Sequence, residues 1–265
     1  MDLCGNYQLG EVDRKGFQAD GHVLLRSVLT AKEIAAFAPA IHQASFRHNA
    51  ETRDLDERDT YGKAFLQTTN LWRVDDVVKA FVFARRFAQI AADLLGVERV
   101  RLYHDQALFK EPGGGATPWH QDQYYWPLAT DRTITMWMPL VDIDETMGMI
   151  TFASGSHRDA VIENIAISDE SDDILARYLE EKAYLVAKAD KMAAGDATFH
   201  LGTTIHSADS NRSNRLREIM TIIYFADGAR IARPENKHQQ ADLNAWLNGI
   251  STGEPADGPL NPILN

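Results

Sequence analysis

Apolar and polar positions follow two different periods along this chain, and the change from one to the other falls near Gly96. Before it the spacing is helical. Thr30-Ala-Lys-Glu33 reads as a capping box, in which the Thr hydroxyl and the Glu carboxylate each satisfy a free backbone N–H at a helix start. The helix it opens is predicted to run to about Ser45 and to bury Ile34, Phe37 and Ile41. Residues 46–70 are charged without a period and read as a loop that could wall an active site. Asp75 and Asp76 open a second helix, where negative charge suits the N-terminal dipole. Its apolar positions are Phe81, Ala84, Ala88, Ala91 and Leu95, with Gly96 as the stop.

Past Gly96, β-branched and aromatic content predicts strands at Arg99–Lys110, Thr133–Leu140, Met147–Ala153, Ala183–Val186, Asp196–His200 and Arg217–Ala226. Between two of them, Asp169–Lys182 has acidic residues in its first turn and Ile174, Leu175, Tyr178 and Leu179 on one face, which predicts a helix. The tail carries Gly253, Pro255, Gly258, Pro259 and Pro262 and reads as loop. Helices followed by closely spaced strands predict one α+β domain over residues 1–265, mainly β in its core. Its expected parts are a helical N-terminal part over about 1–96, a sandwich or barrel core over about 97–230, and a C-terminal loop extension over 231–265.

Composition narrows the function classes. The chain has 265 residues, 45% hydrophobic and 25% charged, an ordinary globular balance. With 27 Lys and Arg against 38 Asp and Glu, the formal charge is −11. Nucleic acid and anionic membrane both require clustered cations, so neither is an expected partner. One cysteine, Cys4, cannot form an intrachain disulfide, and Met1-Asp-Leu-Cys-Gly-Asn-Tyr7 has neither the basic nor the apolar region of a secretory leader. A cytoplasmic protein acting on small molecules is the expectation. Oligomeric state is open.

His120-Gln-Asp122 follows the glycine-rich Pro112-Gly-Gly-Gly115. Residues i and i+2 of an extended segment point the same way, so an imidazole and a carboxylate face a common centre. A further histidine would complete a two-His, one-carboxylate triad, the donor set that suits non-haem Fe(II). The motif alone is weak, because His157-Arg-Asp159 repeats it. A second cluster strengthens it: His206, Asn211, Ser213, Arg215 and Arg217. Histidine and arginine on adjacent strands can line one cavity, and a buried Arg without a partner would be costly. A bound dicarboxylate, held bidentately, explains such an Arg. Arg215 reads as solvated in the turn.

Trp119-His-Gln-Asp-Gln-Tyr-Tyr-Trp-Pro127, Ser154-Gly-Ser-His157, and His206 with Asn211, Ser213 and Arg217 together resemble the phytanoyl-CoA dioxygenase family. The resemblance runs from about Phe109 to Tyr224 and implies a double-stranded β-helix, the cupin-like jelly roll, buttressed by the N-terminal helices. It further implies an Fe(II)- and 2-oxoglutarate-dependent oxygenase using O2. His120, Asp122 and His206 would hold the iron, and Arg217 the distal carboxylate of 2-oxoglutarate. By the same resemblance His157 is a turn residue. His200 lacks an Arg at the matching offset and is the weaker ligand candidate. Ala208 stands where a serine is common, so Ser207 or Thr135 would have to supply that hydrogen bond. A carboxylate at Asp122 argues against halogenation, though not against desaturation, epimerisation or cyclisation.

Strand alternation adds candidate walls. Thr133, Thr135 and Trp137 share one face, as do Gln106 and Lys110; Thr135, Trp137 and Gln106 are candidate cosubstrate contacts. Tyr124, Tyr125 and Trp126 follow Asp122 directly and are candidates for the substrate mouth, with His104 on an earlier strand. A non-catalytic cupin-like metal binder would need only the triad, leaving Arg217 without purpose. A zinc hydrolase would need a general base, and alternation turns Glu218 away from Arg217. The negative charge, with no basic rim, also makes a long acyl-CoA a poorer substrate than a small metabolite or natural-product intermediate.

Overall fold

Local capping decides where the first helices begin. The computed structural model describes residues 3–159, 162 and 165–265. Its first elements are α1 (Glu11–Asp20), β1 (His22–Leu25), α2 (Ala31–His48), α3 (Thr60–Ala64), β2 (Leu66–Thr69), α4 (Asp76–Val82) and α5 (Arg85–Leu95). The Thr30 capping box forms as expected, with Thr30 Oγ1 accepting from the Glu33 amide and Glu33 accepting from the Thr30 amide. Ile34, Phe37 and Ile41 are buried.

Three features depart from the pattern. The helix expected from Asp75 to Leu95 is two helices, broken at Phe83 and Ala84 where the chain turns to pack the Phe83 ring on Trp72. No Gly or Pro marks that break. Residues 46–70 are not all loop, since they contain α3 and the edge strand β2. The helical part also donates β1 to the sheet, paired with β10 below.

The remaining elements are β3 (Val100–Lys110), β4 (Thr117–His120), β5 (Thr133–Pro139), β6 (Ile143–Asp144), β7 (Ile150–Ser154), α6 (Asp169–Lys182), β8 (Leu185–Lys188), β9 (Lys191–Met192), β10 (Ala197–Leu201), β11 (His206–Ala208), β12 (Arg217–Ala226) and α7 (Lys237–Trp246). They form a six-stranded antiparallel sheet in the order β1-β10-β5-β12-β3-β2, facing a four-stranded sheet β4-β11-β7-β8, with β6 and β9 as a separate pair. This is the jelly roll. The helices α2, α4 and α5 cover the outer face of the larger sheet, and their apolar residues join Met136, Phe199, Met220 and Ile222 in the main core. Among the described residues no helix is long and apolar enough to cross a membrane.

The C-terminal region corrects the reading of 231–265 as loop. Asn236 caps α7 by accepting from the His238 and Gln239 amides, and Leu243 and Leu247 pack on Tyr103, Trp126 and Phe225. With few apolar residues in the helix, its stability comes from this docking rather than from a periodic stripe.

Candidate active site

Register across the larger sheet sets out the inner surface row by row. One row reads His104, Ile223, Thr135, His200 and His22 across β3, β12, β5, β10 and β1; the next reads Gln106, Thr221, Trp137 and Thr198. Lys110 pairs with Arg217 at the far end. Strand rise places Arg217 about 20 Å along β12 from Ile223. A cavity of about 330 Å³ lies between the sheets, lined by Arg217, Trp137, Thr135, His120, Asp122 and His206 among others.

On the opposite sheet His206 pairs directly with His120, which brings their ring centroids to 4.1 Å. β4 is an edge strand, and α6 stands in for the missing neighbour. Asp172 accepts the Trp119 amide at 2.8 Å, and the Ser171 hydroxyl donates to the Trp119 carbonyl at 3.1 Å. Asp122 opens a 3-10 turn just after the strand.

The donor chemistry of these three side chains calls for a cation. Nδ1 of His120 lies 2.7 Å from the Pro118 carbonyl and Nδ1 of His206 lies 3.0 Å from the Thr204 carbonyl. A carbonyl only accepts, so each Nδ1 carries the proton and each Nε2 presents a lone pair. Those lone pairs face Asp122 Oδ1 at 3.7 and 3.8 Å. The three donor atoms lie within 4.8 Å of one another and could hold a metal ion. Burial first, and then the charge of His206 on His120 and of His200 on His206, pulls both imidazoles down to about 4. Burial raises the Asp122 carboxyl, but His206, His200 and His120 outweigh it and hold it well below the usual carboxylate range. The set is thus two neutral imidazoles and a carboxylate, the protonation state metal binding requires.

Asp122 is held by one hydrogen bond and has a further imidazole beside it. The Thr135 hydroxyl donates to its Oδ2 at 2.9 Å, and His200 Nε2 lies 3.4 Å from the same atom. The carboxylate that Thr135 reaches is therefore Asp122. His200 sits beside the triad without being part of the metal-competent group.

At the far end two basic side chains are buried. Arg217 is 1% exposed; its Nη1 donates to the Gly148 carbonyl at 2.5 Å, and its Nε has no partner. Its guanidinium carbon lies 5.6 Å from the Trp137 ring centroid. Lys110 donates to the carbonyls of Gly115 and Asp209 and, at 3.4 Å, to Thr117 Oγ1. Among the described residues neither forms a salt bridge. Burial pulls Arg217 down to about 9, and burial followed by the charge of Arg217 pulls Lys110 to about 6. Gly148 makes the approach possible: at φ +81° it is in the left-handed region, and a Cβ would meet the Asp209 carbonyl at 2.4 Å and Arg217 Nη1 at 3.3 Å. Asn211 aims the following strand, its amide donating to the carbonyls of Lys110 and Arg215 while Ser213 Oγ donates to its Oδ1.

Of the remaining candidates, Gln106, Trp137, Tyr125, Trp126 and His104 line the cavity. Tyr124 does not, because the 3-10 turn rotates it away to pack against Tyr125 and His238. Ser207 and Ala208 both line it, as does Thr117, which pairs with Ala208 across the strands. Glu218 faces outward to His42 at 3.0 Å. His157 lies in a 3-10 turn outside the cavity. Sequence reasoning missed Tyr61, Phe65, Asp242 and Trp246, which also line the site. They come from the segments read as loop, where no period or motif marks them.

The family model for phytanoyl-CoA dioxygenase (PhyH) matches residues 17–219. The chain belongs to this family. Membership makes it an iron- and 2-oxoglutarate-dependent oxygenase. It is 24% identical over 219 residues to a probable alpha-ketoglutarate-dependent hypophosphite dioxygenase of Stutzerimonas stutzeri, covering 79% of this chain and 76% of that protein. The alpha-ketoglutarate-dependent carbocyclase SnoK from nogalamycin biosynthesis superposes with a TM-score of 0.80 at 23% identity, over 98% of this chain and all of that one. The epimerase SnoN, in complex with Fe3+, alpha-ketoglutarate and nogalamycin RO, gives 0.80 at 22% identity over 96% of this chain and 98% of that one.

Proposed function

We propose that this family member oxidises a C–H bond of a small organic substrate, most simply by hydroxylation, while 2-oxoglutarate and O2 become succinate, CO2 and the inserted oxygen atom. Three facing lone-pair donors and, farther along the same cavity, an acid-free buried guanidinium carry the assignment. His120, Asp122 and His206 hold Fe(II), which supplies the oxidising chemistry together with 2-oxoglutarate and O2. Arg217 takes the distal carboxylate of the cosubstrate. Trp137 walls the cosubstrate and keeps water from its arginine. Thr135 and His200 orient Asp122, so that its other oxygen stays turned to the histidines. The protein is read as a single cytoplasmic domain.

A metal binder without turnover has no use for Arg217. Isolated in a cavity with only a carbonyl partner, that guanidinium is a net cost unless an anion arrives. Desaturation, epimerisation and ring closure use the same residues, and substrate placement chooses among them. A small inorganic anion such as hypophosphite, named for the Stutzerimonas protein, fits less well, because among the described residues Arg217 is the single Lys or Arg lining the cavity and the cosubstrate occupies it.

Anaerobic addition of Fe(II) and then 2-oxoglutarate to the purified protein tests the assignment. A visible charge-transfer band should appear and should be absent from His206→Ala. Its absence from the wild type would overturn the reading.

A further inference from the structure

The cavity is larger than a metal and a five-carbon diacid require, and its outer part has a different chemistry. Among the described residues Tyr61, Phe65, Tyr125, Trp126 and Trp246 surround it, with one carboxylate among them, Asp242, and no Lys or Arg. His104 carries no competing charge, since burial draws it down to about 4.

The position of Asp242 is built by two devices. The β3–β12 register shifts between Ile223 and Tyr224, which leaves Tyr103 as an extra residue opposite no partner. Such a bulge re-aims a side chain, and here it turns Tyr103 inward beside Ile223 and Phe225. The Tyr103 hydroxyl then donates to Asp242 Oδ2 at 2.9 Å, and Trp246, one turn later on α7, donates its indole N–H to the same carboxylate. The helix itself is tied over the cavity by Gln239, which donates to the Tyr124 carbonyl at 3.0 Å.

Resting on the oxygenase reading, we propose that this outer chamber receives the ammonium group of a cationic amine substrate. Asp242 serves as counter-ion and the five rings as the cage. Aromatic faces attract cations, most strongly when the cation is desolvated. A carboxylate among them with no basic partner is the complement of a buried ammonium, whereas an anionic substrate would meet only repulsion. Burial pushes the Asp242 carboxyl up to about 7, and a positive charge beside it would favour the ionised form. Tyr61 and Tyr125 both feel the charges of Asp122 and Asp242, so both lie within electrostatic reach of the metal site and of the anchor. An amine held at Asp242 would lie in the same cavity as the triad.

The test compares phenethylamine, N-acetylphenethylamine and 3-phenylpropionate, matched in size, by saturation-transfer NMR on the protein with Mn(II) and 2-oxoglutarate and on metal-free protein. The amine should bind about tenfold or more tightly than either congener. Asp242→Asn should erase that preference and leave the anaerobic Fe(II)/2-oxoglutarate band intact. Tyr103→Phe loses the packing bond yet keeps the carboxylate, and should retain the preference. Equal binding of amine and amide, binding of none of the three at millimolar concentration, or an unaltered preference in Asp242→Asn would overturn the proposal. A missing Fe(II)/2-oxoglutarate band alongside intact amine selectivity would instead count against the oxygenase assignment alone.

Discussion

Replacing Arg217 by Met separates a ligand's anchor from a structural cation. The guanidinium is 1% exposed, has one carbonyl partner, and is drawn by burial from 12.5 to about 9. At 1.36 kcal/mol per pH unit, holding it charged in the ligand-free fold costs about 5 kcal/mol as a ceiling. Methionine spans similar length and keeps the contact with Trp137. The ligand-free variant should therefore melt no lower than wild type. Removing one partner of a buried charge pair costs about 2–5 kcal/mol, roughly thirtyfold to several thousandfold in Kd. The assay is thermal unfolding with Mn(II), with and without 2-oxoglutarate. At about a hundred times its Kd the cosubstrate adds ~2.7 kcal/mol to the wild type, roughly 5–10 °C for a chain of this size. The variant should gain about 3 °C or less, falling to nothing at the larger loss of affinity. A full shift in Arg217→Met, or a ligand-free variant that melts far below wild type, would refute the reasoning.

Two further expectations follow from the same site. Lys110 titrates near 6 in the fold against 10.5 in the unfolded chain, so the unfolded state binds more protons in between and stability rises with pH. Asp105 and Asp242, raised to about 7, act below that pH, and Arg217 acts above about 9. Between pH 7 and 9 the slope belongs to Lys110. Urea unfolding of the metal-free protein should show a rise of ~1 kcal/mol per pH unit there, and Lys110→Met should flatten it. A wild-type curve already flat would contradict the lowered titration of the buried Lys110 amine. Thr135→Val removes the hydroxyl bonded to Asp122 Oδ2, and metal affinity should fall about tenfold in a chelator competition. Unchanged affinity would mean that Thr135 does not position the carboxylate.

The residues assigned to the chemistry were legible in the linear chain because each is marked locally. His120 and Asp122 share one motif, His206 and Arg217 flank one turn, and alternation put Thr135, Trp137 and Gln106 on inward faces. The Thr30 capping box and the period change at Gly96 likewise announced a helical part followed by strands. These signals act over a few residues, where hydrogen bonds and side-chain direction obey fixed offsets. The role of Thr135 could not be read that way, because its partner lies 13 residues away on another element. Nor could the substrate chamber. Tyr61 and Phe65 belong to an aperiodic stretch, while Asp242 and Trp246 belong to a helix with too little apolar surface to declare itself. Asp242 meets Tyr103 across 139 residues and only because a bulge turns the tyrosine inward. Local offsets carry the catalytic groups of this chain; the walls of its substrate site exist only where distant segments dock.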